Sequence, residues 1–472
     1  METRETMRHS HRAKTKRSKR MRRITRSWAC SITVLTLASA AAGRLGAQDA
    51  VPEPTELSLD RAIQIALEHN RPVKIAQLDV TKARWQVAEA KSKRFPEVNA
   101  YFFGSGNLTS PAFTFKKGLF GTVDDAPSPS KDTKIKLSNG FTGYAFAQVA
   151  QPITQLYKIH IAIREQELSA DLAREKYQGK RQSLVADVRQ GYYAVLQTQG
   201  ALETEGATVK QYQETDRVIL DYIAQRSALQ SSSLEIKAKL AQAQYQMIQL
   251  QDTLTTQKEY LNNLLGRDLD TPFRAQTVSP ITPEETSLTL ARQLSLAQRP
   301  EVQEAQIDVR RAEYDHKLAK AQYIPDIAAA FHYVSPINTQ ILPENIASAG
   351  VEMKWDPFDW GGRRDQVKQK ETVVMQSKDQ LEETRSQVLL DVDNAFRKLT
   401  ESRSLVTVAV AGRDAANEKL REVMDQFSKS VVLLRDLLEQ QTAAANANQE
   451  YQQSLLAFWN AKANFEKALG EE

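Results

Sequence analysis

Asp436 and Glu439 are a pair of side chains whose type and spacing could do chemistry without a cofactor. Three residues apart on a helix, they share one face. Repeated about a symmetry axis, they would form a ring of carboxylates, a device that favours cations in a pore. The competing use is local, because carboxylates near a helix start also complement its dipole. Carboxylates facing one another repel, so a closed ring calls for basic partners on neighbouring helices. Catalysis finds no support: the chain has no HExxH, no GxSxG at a strand-to-helix turn, no phosphate-binding glycine loop and no Cys/His cluster. No enzymatic activity, cofactor or metal is expected from it.

The elements that would position these carboxylates are long helices. Leu240, Ala243, Met247, Leu250, Leu254, Gln257, Leu261 and Leu264 step by three and four, a seam of coiled-coil type with one polar exception. Ala444, Asn448, Tyr451, Leu455, Phe458, Lys462, Phe465 and Leu469 repeat the pattern near the carboxyl end. No proline occurs from Ile153 to Thr271, or from Phe358 onward. A helix over about Gln155 to Ala224 would be about 100 Å long, too long for a compact core, so it must pack lengthwise on others.

The chain is a tandem duplication. Arg71-Pro72, Ala76-Gln77-Leu78-Asp79-Val80, Ala83 and Phe95-Pro96-Glu97-Val98 return as Arg299-Pro300, Ala305-Gln306-Ile307-Asp308-Val309, Ala312 and Ile324-Pro325-Asp326-Ile327. Between each proline-marked helix end and the following long helix lie segments of alternating polarity. In Ala349 to Asp356, apolar Val351, Met353 and Trp355 alternate with Glu352, Lys354 and Asp356, which predicts a strand with one oily and one wet face. Val98 to Ser105, Gly140 to Gln151 and Ile327 to Ser335 share the period. Each matches the ~9–11 residues of a tilted bilayer-crossing strand. Four strands cannot close a barrel, and open edges are not tolerated in lipid, so several chains must share one.

Export is written at the amino terminus. Residues 1–26 carry eleven Lys or Arg against two acids, followed by the apolar run from Trp28 through Leu37 to Ala42, with Ala38, Ala40 and Ala42 for a peptidase to read. Met21 is a plausible alternative start. Cleavage near Gln48 removes 12 of 63 basic and 2 of 58 acidic residues, leaving 51 against 56, a mature charge of −5. A nucleic-acid partner is therefore not expected. The single cysteine, Cys30, leaves with the signal, and no mature segment has the ~18 consecutive apolar residues of a spanning helix. The chain divides into a signal peptide at 1–48, a first unit at 49–272 with strands at about 97–107 and 139–151, and a second at 273–472 with strands at about 325–335 and 347–357.

The order short helix, helix, strand, loop, strand, two long helices, given twice, resembles the TolC-like family of outer membrane efflux proteins. The likeness is carried by Leu57-Ser58-Leu59 with Ala62-Ile63-Ala66-Leu67-Asn70-Pro72, Asn263-Leu264-Leu265-Gly266, Trp355 to Arg364, Asp436-Leu437-Leu438 and Ala468-Leu469-Gly470. It implies a mainly α fold with a membrane β-barrel. Long coiled-coil hairpins would form an α-barrel tunnel, and four strands per chain would join the shared barrel of a homotrimer. It also implies the outer membrane channel of a tripartite efflux or secretion system, with a periplasmic adaptor (membrane fusion) protein, an inner membrane efflux pump and outer membrane lipid as partners. The resemblance places Asp436 and Glu439 at a periplasmic gate. It puts docking tips at 226–233 and 428–434, where Ser227 and Ser430 stand near the family's usual glycines, Ser232 replaces a frequent Asp, and Leu229 and Val431 are apolar anchors. Those two could equally cap the hairpins' own core. Trp355 and Trp360 suit either a membrane-interface belt or packing at the barrel-to-tunnel junction. The stretches 109–137 and 336–346 read as surface loops outside the cell. The alternative is an exported coiled-coil scaffold without a barrel; a passive porin would need more strands.

Overall fold

The computed structural model describes residues 55–106, 108–109, 112–136, 140–227, 229–277, 287–338, 343–429 and 431–471. The signal segment, Cys30 and Ser430 lie outside them. The first half runs β1 (Thr55–Leu57), α1 (Leu59–His69), α2 (Arg71–Ser92), β2 (Glu97–Gly106), the short strands β3 (Ala112–Phe115), β4 (Thr122–Val123), β5 (Ala126–Pro127) and β6 (Thr133–Lys136), then β7 (Phe141–Pro152), α3 (Gln155–Ala224) and α4 (Gln230–Leu264). The second half runs β8 (Phe273–Ala275), α5 (Leu288–Gln298), α6 (Pro300–Ala321), β9 (Asp326–Ile337), β10 (Ile346–Lys354), α7 (Gly362–Ser428) and α8 (Leu434–Leu469).

Four antiparallel strands form the main sheet in the order β10-β9-β7-β2, so β10 and β2 are its open edges. Cross-strand partners share a face, which sorts the side chains. Asn99, Gln148 and His332 lie on one face together with Glu352 and Lys354; Val98, Val149, Phe331, Val351 and Met353 lie on the other. His332 Nε2 stands 2.9 Å from Glu352 Oε1, so the wet face holds a polar cluster of its own. Tyr144 and Phe146 fall on the wet face, opposite to Phe141. The alternation in sequence gave the strands but not the side on which each aromatic falls.

The helices continue the sheet. α3 packs against α2, α4, α6 and α8, while α7 packs against α6 and α8. The period-3/4 positions behave as a seam: Ala243, Leu261, Ala444, Phe458, Phe465 and Leu469 are buried. Two close approaches fix each half. Gly266 (φ +68°) ends the first hairpin where an added Cβ would stand 2.5 Å from His69 O. Gly470 (φ +88°) ends the second, with a Cβ 3.0 Å from the Gln298 carbonyl carbon. Each glycine abuts the kink between its unit's two short helices, and at the first kink Asn70 Nδ2 donates to Leu264 O at 2.9 Å. At the middle of α3, beside the end of α4, buried Tyr192 places its hydroxyl 2.7 Å from the carbonyls of Leu57 and Gln276, donating to one of them. Burial pushes that phenol up to about 12.

The sheet is lashed to the helices by polar contacts. Thr154 Oγ1 donates to Pro325 O (2.7 Å) and accepts from the Ile327 N–H (2.8 Å), and Lys158 pairs with Asp326 at 2.7 Å. At the opposite passage Gly361 (φ +91°) turns the chain into α7, and the Asp359 carboxylate accepts from the Arg363 N–H at 2.7 Å.

Candidate functional site

The α7/α8 hairpin tip holds Asp436 and Glu439. α8 starts after Leu433, whose backbone is extended, and the Asp436 carboxylate accepts the Leu433 N–H at 3.2 Å. That bond satisfies one of the orphan donors of a helix start. Leu437 and Leu438 are buried, and Gln441 donates to Thr215 Oγ1 at 3.2 Å, which fixes the packed side of α8. At 3.6 residues per turn, Asp436 and Glu439 then point about 180° away from the two leucines. They share an unpacked face of the helix. Among the described residues Asp436 pairs with Arg435 of its own helix, at 3.6 Å. Glu439 has no ion pair among the described residues.

The α3/α4 tip is the counterpart. Counting from the extended residues Leu229 and Leu433 that precede α4 and α8, Ser232 matches Asp436, Ser233 matches Leu437 and Glu235 matches Glu439. Ser233 is fully buried and donates to Asp216 Oδ1 at 2.9 Å. Arg226, and not Ser227, takes the left-handed conformation (φ +62°) at this tip. The Ser227 N–H donates to Tyr222 O at 2.8 Å, closing the end of α3. Leu229 is 73% exposed and Val431 70%, so neither caps its own hairpin's core. Trp355 is half-exposed and Trp360, at φ +56°, is 90% exposed. Trp360 stands edge-on to Phe358 with ring centroids 4.8 Å apart.

A second group of carboxylates escaped the sequence reading. Glu301, Glu304 and Asp308 step by three and four along α6 and line a cleft of about 620 Å³ with Glu165, Arg311 and Asp315. Burial raises the Glu304 carboxyl, and Glu301, Asp308 and Glu175 raise it further against the pull of Lys176. Burial and then Asp171 raise Glu175. The spacing on α6 was the available signal. It was masked by the mixed charge of Arg310, Arg311 and Lys317 on the same short helix. Among the described residues, no group of His, Cys, Asp or Glu is arranged to hold a metal ion, and no helix is long and apolar enough to cross a membrane.

A sheet with one oily and one wet face, continued by two long hairpins from a duplicated unit, defines a barrel-and-tunnel channel class. The chain belongs to the outer membrane efflux protein family, which matches residues 62–267 and 291–471. The alkaline protease secretion protein AprF of Pseudomonas aeruginosa is 22% identical over 306 residues, 62% of this chain and 63% of that one. The toluene efflux pump outer membrane protein TtgI of Pseudomonas putida is 25% identical over 291 residues, 59% of this chain and 56% of that one. The chain thus spans between about half and two thirds of the length of the curated relatives it matches. The CmeC outer membrane channel of Campylobacter jejuni shares the fold, with a TM-score of 0.72 at 15% identity over 87% of this chain and 85% of that one. The family is one of outer membrane channels, not enzymes.

Proposed function

We propose that this chain is the outer membrane duct of a tripartite export system, working as a homotrimer that receives cargo through a periplasmic adaptor from an inner membrane pump. The observation that carries the reading is the sheet order. Two edges, β2 and β10, are left unpaired in a sheet whose oily face suits lipid. Such edges must be satisfied, and three copies joined β10 to β2 would do so while bringing the helices into one tunnel. α3 has 70 residues and α7 has 67, each about 100 Å of helix, enough to carry the duct well into the periplasm. The division at residues 48 and 272 into a signal peptide and two units belongs to the same proposal.

Asp436 and Glu439 are proposed as the acidic ring of the periplasmic gate, and Ser227, Leu229, Ser232, Ser430 and Val431 as the adaptor-facing tips. The support for the gate is the unpacked face that the two carboxylates share; the support for the tips is the exposure of Leu229 and Val431. Membranes of expressing cells should yield the chain in the outer membrane fraction, with a native mass of three copies after detergent extraction. A soluble periplasmic species would replace the duct with an exported coiled-coil scaffold. In a planar bilayer, the Asp436→Ala/Glu439→Ala double variant should show altered conductance and weakened cation preference. Unchanged channels would remove these residues from the gate.

A further inference from the structure

The connection between β2 and β7, expected as a long surface loop, holds a paired ribbon. β3 and β6 pair antiparallel, matching Phe113 with Ile135 and Thr114 with Lys134. Beyond them Gly118 N donates to Pro129 O (3.0 Å) and Phe120 N to Ser128 O (2.9 Å), and β4 and β5 close at Asp124-Asp125, both left-handed (φ +52° and +57°). The pairing sorts the ribbon into two faces. Phe113, Phe115 and Ile135 share one, which Phe120 extends by packing on Phe115 with ring centroids 5.5 Å apart. Lys134 and Lys136 share the other with Ala112 and Thr114. From 112 to 136 there are five lysines and three aspartates, a net of +2, and all five lysines are exposed. One aspartate, Asp132, is engaged in accepting the Lys117 N–H at 2.8 Å, and the other two are at the tip. The connection between β9 and β10, residues 338–345, contains no lysine at all.

We propose that this ribbon docks on the phosphorylated glycolipid of the outer leaflet, its lysines on the headgroup phosphates and its aromatic face against the apolar part of the same molecule. The inference rests on the outer membrane placement argued above. Two observations select this occupant. The ribbon leaves the sheet at the end away from the helices. Its tethers, residues 107–111 and 137–140, reach at most about 3.5 Å per residue, which keeps β3 and β6 within roughly 20 Å of the strand ends and so within reach of the headgroups. The ribbon also joins exposed positive charge with exposed aromatic rings, the pairing that an anionic amphiphile satisfies at once.

The test uses the full-length, detergent-extracted oligomer and native mass spectrometry, titrated with diphosphorylated lipid A or phosphatidylcholine. Wild type should bind the lipid A and not the phosphatidylcholine. Lys131→Gln/Lys134→Gln/Lys136→Gln should weaken lipid A binding at least tenfold, given about fivefold per basic residue at an anionic surface. The same three lysines changed to Arg should restore it, and Phe113→Ser/Phe120→Ser should weaken it with the charge intact. The proposal is overturned if the Gln variant, still oligomeric, binds lipid A as wild type does, or if phosphatidylcholine binds equally. A Gln variant that alters conductance and leaves lipid binding unchanged would put the ribbon over the duct mouth instead, and also overturns it. A wild-type chain that forms no outer membrane oligomer overturns both this inference and the duct.

Discussion

The two hairpin tips start from the same backbone and end with different chemistry. Both second helices follow an exposed leucine with an extended backbone, Leu229 in one and Leu433 in the other. Three residues on, one tip has Ser232 and the other Asp436, which takes the Leu433 N–H onto its carboxylate. At the next position one buries Ser233 against Asp216 and the other buries Leu437. Duplication preserved the path of the chain while the side chains at the turn diverged. A paired acidic face at the helix start is therefore a property of one tip, and a gate built on it uses one hairpin of each chain.

Substitutions at the two glycines that close the hairpins test the shared backbone. Gly266→Ala must hold a side chain at φ +68° and push His69 O away, and should lower stability by about 3 kcal/mol. Gly470→Ala, with its nearest contact at 3.0 Å, should cost about 1–2 kcal/mol by the same mechanism. Thermal unfolding of the extracted protein ranks the two. Equal losses would mean that the His69 approach adds nothing beyond the strained φ.

Next come the matched interior positions at the tips. Leu437→Ala should cost about 2–4 kcal/mol by opening a cavity. Ser233→Ala removes one hydrogen bond to Asp216 and should cost only about 1 kcal/mol. A larger loss for serine than for leucine would show that the first tip depends on its polar contact more than the second depends on packing.

What was legible in the sequence follows period and punctuation. Leu240 to Leu264 and Ala444 to Leu469 announced their helices because packed positions recur every three and four residues, and the Pro and Gly positions marked where each unit folds back. The ribbon over 112–136 was missed because its paired strands are four residues and two residues long, too short to establish a period among prolines and glycines. The partners of Asp436 were not legible either. Within one chain its bonds are to its own helix start and to Arg435. The acidic pair itself was visible, since spacing by three places two side chains on one face; whether that face is packed depends on Leu437, Leu438 and Gln441, whose partners lie two hundred residues away in sequence for Gln441.

Asp436→Asn separates charge from capping. The amide can still accept the Leu433 N–H, so stability should change by less than about 0.5 kcal/mol, while cation preference in a planar bilayer should fall. A loss of stability without a change in selectivity would return Asp436 to the role of a helix cap.

The last test contrasts these carboxylates with the half-buried Glu304 of the α6 cleft and Glu175 of α3. Glu304 and Glu175 have carboxyl pKa values raised by burial and by neighbouring acids. An acid whose folded pKa lies above its unfolded one favours the protonated folded state. Its contribution is complete below the ordinary glutamate value of 4.5 and is lost as pH rises through the folded pKa. Glu304→Gln should therefore be more thermostable than wild type at neutral pH, and the gap should close as pH falls to 4.5. Solvent screening keeps the gain under about 1 kcal/mol. A gap that stays constant with pH would trace the effect to packing in the cleft and leave its electrostatics without a part in stability.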